Sequence, residues 1–259
     1  VTKKLGKDDI KGPDSFIATS DVVGLWIQKN RKLVFSVLGG LLVIGAAAGG
    51  WSWYLKFRET RAQEALYEVE SKIYKIQADL LSKNESTTQK DGKDTKIKAS
   101  DKNIDSDYGS LLGDFDTKIK SNMGSKAALI GSIQLASIYM EYENFDKAHQ
   151  ILKEISPTAG KNGVFFGLVQ MQLASVLAAM NKQEEAKALY DQVLKDKGSS
   201  FLHSEAILKL GLMEEKLGRL DQAKTHYLRA SQEFSATDAG KAAKAYLRLI
   251  ELDKTGASR

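Results

Sequence analysis

The sequence predicts an all-α protein: a single N-terminal transmembrane helix followed by a domain of repeated helical hairpins, about three of them plus a capping helix. Three observations predict it. Residues 33–55 form one apolar, uncharged run bracketed by Asn30-Arg31-Lys32 and Lys56-Phe57-Arg58. Only two prolines interrupt a chain that is 42% apolar, which suits helices throughout. The C-terminal half superposes on itself, with paired small residues at a constant interval. The expected boundaries are 1–31 for an N-terminal arm with a short amphipathic helix, 32–56 for the transmembrane helix, 57–82 for an amphipathic helix leading into the soluble domain, 83–108 for a flexible polar insert and 109–259 for the repeats.

In the arm, Thr19-Ser20-Asp21 offers caps for a short helix through Gln28, whose Val22, Val23, Leu25, Trp26 and Ile27 suit a bilayer interface. The apolar run that follows would be about 34 Å long as a helix, enough to cross a hydrocarbon core of roughly 30 Å with some tilt. Trp51, Trp53 and Tyr54 at its end fit one interfacial belt, with Trp26 before it. A cleaved signal peptide is the competing reading, since residues 33–44 have the length of a signal core and Ala46-Ala47-Ala48 supplies a small-residue cleavage site. The long preceding segment and the aromatic belt favour a retained anchor in contact with the lipid bilayer. Lys29, Arg31 and Lys32 against the run argue for a cytoplasmic N-terminus, although Lys56, Arg58 and Arg61 on the far flank keep the asymmetry small. Gly45 and Gly49 have the spacing that lets two membrane helices approach closely, a pattern that also arises from the ordinary abundance of glycine in membrane spans.

Beyond the run, Ala62, Ala65, Leu66, Val69, Ile73, Ile76 and Leu80 recur at steps of three and four, the period of a helix with one buried face. Residues 84–107 change to Lys, Asp, Ser and Thr with balanced charge, too little apolar surface to offset the entropy of ordering.

Three segments then repeat. Leu135-Ala136-x-x-Tyr139 is followed by Ala148 and Leu152, Leu173-Ala174-x-x-Leu177 by Ala186 and Tyr190, and Leu210-Gly211-x-x-Glu214 by Ala223, Tyr227 and Ala230. The small residues of each pair let two antiparallel helices meet closely. Glu143-Asn144, Asn181 and Gly218 mark the intervening turns, the last two being suited to left-handed backbone. A last helix over residues 239–252 presents Ala242, Ala243, Tyr246, Leu247 and Ile250 as a cap. This pattern resembles the tetratricopeptide repeat over residues 126–234, although the family's Trp and terminal Pro are missing and the period is about 37 or 38 against its 34.

Arrays of this kind bind peptides on the face made by the first helix of each pair. By register that face comprises Ile130, Ile133, Ser137 and Met140, then Leu168, Met171 and Ser175, then Leu208 and Leu212. It is apolar, and lacks the Lys and Asn of repeats that clamp an acidic C-terminus. It would take an apolar segment of a partner or an unfolded client, unless Leu66, Val69, Ile73 and Ile76 of the preceding helix already fill it.

No phosphate loop, zinc-binding His pair, nucleophile elbow or EF-hand loop occurs, and no enzyme and no cofactor is expected. His149, His203 and His226 sit singly, read as surface or boundary residues. Glu184-Glu185 and Glu214-Glu215 read as solvated helix faces. The absence of cysteine excludes disulfides and thiolate metal sites. The net charge of +5 is spread thinly, with seven basic and four acidic residues through Lys32, eleven of each over 33–108 and twenty against eighteen thereafter. No stripe fits nucleic acid.

The basic-flanked span, the exit Trp51-Ser52-Trp53-Tyr54, Leu112-Gly113-Asp114-Phe115, Ala127-Ala128-Leu129, Gln134-Leu135-Ala136-Ser137-Ile138-Tyr139 and Asp146-Lys147-Ala148 together resemble the YfgM family of bacterial inner-membrane proteins over about residues 21–252. The polar insert departs from that family. The resemblance implies a single-pass protein with a periplasmic repeat domain that associates with the SecYEG translocon and the membrane-anchored chaperone PpiD to assist newly exported proteins. An alternative from the same architecture is a structural scaffold of a secretion, motility or division machine, oligomerising through Gly45, Gly49 and the repeats.

Overall fold

A computed structural model describes Val23 and residues 25–91 and 103–256, all of whose regular elements are helical. The expected cap Thr19-Ser20-Asp21 lies outside the described residues, as do positions 92–102 of the expected insert. The chain divides into two units, Val1–Phe57 and Arg58–Arg259.

In the first unit residues 25–29 are helical, and both the backbone and the side-chain amide of Asn30 donate to Trp26 O at 2.9 Å. Helix α1 (Arg31–Asp91) then begins. It is, among the described residues, the one helix long and apolar enough to cross a membrane. Apart from half-buried Val34, the Leu, Val, Ile and Phe side chains of the run are exposed, as are Trp26, Trp51, Trp53 and Tyr54. Trp53 stacks on Phe57 with ring centroids 5.5 Å apart. A Cβ on Gly45 or Gly49 would meet nothing within 4 Å, so this face of the helix is open.

In the second unit the same helix turns amphipathic, and Ala62, Leu66, Val69 and Ile73 are buried at the steps of four and three that the sequence predicts. They join one core with Phe115, Ile119, Ala128 and Leu135, drawn from α3 (Leu111–Ser121) and α4 (Lys126–Glu141). Polar groups fix this packing at its start. The Glu59 carboxylate accepts from Lys126 N and Ala127 N, each at 2.9 Å, while Ser125 Oγ accepts from Ala128 N at 3.0 Å. Three of the four N–H groups that a helix start leaves unpaired are thus satisfied, two of them by a residue 67 and 68 positions away. Arg58 donates to Met123 O at 3.1 Å, beside Gly124, whose φ of 88° suits glycine.

The stretch 83–108 was expected to be irregular, but helix enters it from both ends. Helix α1 continues to Asp91, and α2 (Ile104–Tyr108) starts on Asn103, whose side chain accepts from Asp105 N and Ser106 N. Tyr108 is what the polar composition concealed. It is buried in the core beside Tyr142, ring centroids 5.9 Å apart, and Tyr142 OH donates to Asp107 at 2.5 Å.

Three hairpins follow: α4 with α5 (Phe145–Ile155), α6 (Val164–Ala179) with α7 (Gln183–Lys195), and α8 (His203–Lys216) with α9 (Leu220–Glu233). Their turns are the same structure three times. Asn144 N donates to Tyr139 O, Lys182 N to Leu177 O and Arg219 N to Glu214 O, at 2.8 to 2.9 Å. The residue before each, Glu143, Asn181 or Gly218, has a positive φ of 57°, 62° or 73°. This is the Schellman closure, in which left-handed backbone folds the chain back onto the last free carbonyls. Asn181 and Gly218 are where the sequence predicts them, and in the first turn the left-handed residue is Glu143. All six paired small residues, from Ala136 with Ala148 to Gly211 with Ala223, are buried. Helix α10 (Asp238–Gly256) closes the array with Ala243 and Ile250 buried and Tyr246 stacked on Tyr227 at 5.3 Å.

Gly218→Ala should cost about 1–2 kcal/mol of unfolding free energy and Glu143→Gly should gain up to about 1, because an L side chain is strained in left-handed backbone; urea titration of both variants checks the opposite signs. Removing the cap with Glu59→Ala should cost about 1–2 kcal/mol and speed hydrogen exchange selectively at the amides of Lys126 and Ala127. A methyl group on residue 211 would stand 2.5 Å from the Tyr227 ring. Gly211→Ala should therefore destabilise the last hairpin by about 1–3 kcal/mol, read by the same titration.

Candidate protein-interaction surface

The first helix of each hairpin sets the predicted groove residues on three successive elements, α4, α6 and α8. Ile130 is 52% exposed, Met171 is buried at 6%, and Ile133, Ser137, Met140, Leu168, Ser175, Leu208 and Leu212 are half-buried. Polar groups on this face satisfy one another. Gln172 Nε2 donates to Ser137 Oγ at 2.8 Å and approaches Met140 Sδ at 3.4 Å, tying α4 to α6, and Ser175 Oγ lies 3.1 Å from Tyr190 OH. With those groups paired, what the face offers is hydrocarbon.

Its two ends differ. Leu208 and Leu212 pack against the cluster that includes Ala243 and Ile250 of the last helix, as do Tyr246 and Leu247. Ile133 and Met140 pack against the cluster that holds Leu66, Val69 and Ile73, so α1 contributes to the same core as the start of the predicted groove. Met171 belongs to the interior of the second hairpin, with Tyr190 and Leu210. Ile130 instead opens into a recess of about 420 Å³ shared with Gln63, Glu64, Leu66, Tyr67 and Glu70 of α1 and with Lys126 and Ala127 of α4.

The charged groups that the sequence assigns to solvent divide differently. Glu214 is only 1% exposed: it pairs with the Arg219 guanidinium, and Lys187 Nζ of the preceding hairpin stands 3.8 Å from its other oxygen. Glu215, next in sequence, is half-buried and accepts from Tyr227 OH at 2.5 Å. Adjacent residues on a helix lie 100° apart, so a pair that reads as one solvated patch straddles the boundary of the core. Burial holds the His226 imidazole below its ordinary range, with Glu214 and Lys187 among the charges around it. His149, His203 and His226 stand on α5, α8 and α9, and among the described residues no group of three His, Asp or Glu side chains has the geometry to hold a metal ion.

Sequence reasoning missed two features of this surface. Glu59 and Arg58 stand at the foot of α1 with nothing in their spacing to tie them to residues 123–127. The recess carries a signal that was available: Tyr67, Tyr74 and Leu81 recur every seven residues on α1 and are 70%, 61% and 64% exposed.

No curated protein sequence matches the chain. Among solved structures, the crystal structure of MamA aligns over 62% of this chain and 98% of its own at 16% identity, with a TM-score of 0.39. The tetratricopeptide repeat-like domain family matches residues 25–251, a stretch that takes in the apolar run together with all three hairpins. Hairpins that share one turn geometry, one small-residue contact and one spacing are the structural content of that match, and the chain belongs to the tetratricopeptide repeat-like domain family.

Proposed function

We propose that this protein is a membrane-anchored, non-enzymatic scaffold that holds a partner-binding repeat domain beside a bacterial inner membrane and acts in protein export. The observation that carries the reading is the face of α4, α6 and α8, where Ser137, Gln172 and Ser175 bond to neighbours within the fold and leave Met140, Leu168 and Leu212 half-open to an apolar segment. Repeat-like domains of this family are suited to protein–protein interaction, and the apolar first stretch of α1 suits a single-pass anchor. The basic residues Lys29, Arg31 and Lys32 favour a cytoplasmic N-terminus and a periplasmic repeat domain. By its resemblance to the YfgM family, the partners are the SecYEG translocon and a PpiD-like anchored chaperone, with newly exported unfolded chains as clients.

Crosslinking in native membranes followed by mass spectrometry tests this assignment. Recovery of translocon subunits together with a membrane-anchored chaperone is the expected result. Crosslinks confined to further copies of this chain and to components of another envelope machine would replace it with the structural-scaffold reading, in which Gly45 and Gly49 form the contact. The double variant Leu168→Gln, Leu212→Gln should lower partner crosslinking at least fivefold while the protein still melts cooperatively.

A further inference from the structure

The recess between α1 and the first turn of α4 is separate from the array face, and it has the marks of a site built for one kind of partner. Its floor and walls are Leu66, Tyr67, Ala127 and Ile130, and two of these large side chains, Tyr67 and Ile130, are 70% and 52% exposed. The exposed apolar surface does not end there. Tyr74 and Leu81 extend it along α1 at intervals of two helical turns, on a stripe distinct from the buried one of Ala62, Leu66, Val69 and Ile73. A stripe with a seven-residue repeat is what a second helix lying alongside would bury. Charge narrows the choice of helix. Glu64 and Glu70 stand in the lining together with Lys126, and among the described residues neither carboxylate makes an ion pair, whereas Glu68, next to Tyr67, is matched by Lys72 at 2.9 Å and Lys118 at 3.4 Å. Partial burial pushes the Glu70 carboxyl up.

From this arrangement we infer that the recess docks a helix of another protein, which inserts an apolar side chain between Tyr67 and Ile130 and sets a lysine or arginine against Glu64 and Glu70. A second copy of this chain fits poorly: two α1 helices held parallel by a shared membrane, as the anchor reading above requires, would lay the flank that carries Glu64 along the flank that carries Glu70, acid beside acid. An anionic lipid surface is disfavoured by the same two carboxylates.

The test places the photo-crosslinking residue p-benzoylphenylalanine at Tyr67 in the full chain in its native membranes, with the linked peptide mapped by mass spectrometry. The expected adduct is to a different polypeptide, at a position with a lysine or arginine within about one helical turn. Its yield should fall at least fivefold in Glu64→Lys, Glu70→Lys and by a smaller factor in Glu64→Gln, Glu70→Gln, while the same probe at Leu168 keeps its adducts. Adducts to a second copy, to lipid or to residues 92–102 of the same chain would overturn the inference, as would the absence of any adduct or a yield indifferent to the charge changes. Loss of adducts at Leu168 with those at Tyr67 intact would count against the array face alone.

Discussion

The packing of Ala62, Leu66, Val69 and Ile73 against the first hairpin is the contact on which the rest of the domain depends. A stack of hairpins buries its interior by placing each unit on the next, which leaves the first unit with an apolar side that nothing in the repeat itself covers. Here α1, with α2 and α3, covers that side. Leu66 and Ile73 are essentially inaccessible to solvent and share a core with Leu135 and Ala136 of the first repeat. The part of α1 that lies in the second unit therefore supplies that unit's N-terminal cap, and it follows the apolar run directly in sequence. Glu59 and Arg58 settle where the second role begins, because their bonds to Lys126, Ala127 and Met123 fix which turn of α1 meets α4.

Downstream, one turn repeated three times sets the spacing of the array. A left-handed residue followed by a bond back to the fifth residue before it reverses the chain in the least length that satisfies the helix-end carbonyls. The glycine that such a left-handed position favours appears only once in the three turns, at Gly218. Asn181 adopts the conformation with modest strain and Glu143 with more, so the first turn relies on the packing around it. With the turns uniform, the paired small residues fall opposite each other in every hairpin. On the first helices, Gln172 bonds to Ser137 and Ser175 to Tyr190, so these polar groups are paired within the fold.

The end of the array shows how a position can change chemistry without changing place. Where the first two repeats have Tyr139 and Leu177, the third has Glu214, and the carboxylate remains buried. A buried charge is tolerated only with partners. Arg219 comes from the turn before α9 and Lys187 from the preceding hairpin, so the carboxylate makes an ionic tie between neighbouring repeats. Tyr227 and Glu215 add a second polar link across the same hairpin, and Tyr246 stacks above it.

By itself the sequence determined what depends on period and on local backbone chemistry. The apolar run, the buried stripe of α1, the three hairpins and two of the three left-handed turn residues are legible because each is a short-range pattern with one physical cause. The small residues Ala136, Ala174 and Gly211 are legible for the same reason, since repetition exposes them. Tertiary structure alone decided which groups from distant segments meet. It drew Glu59 to the start of α4 across 67 residues, put Glu214 inside and Glu215 at the edge, buried Tyr108 at the end of a polar stretch, moved Met171 from the groove to the interior and turned Ile130 toward α1. Those outcomes rest on desolvation and pairing between elements, and a one-dimensional pattern records which residues are available for such encounters but not which of them occur.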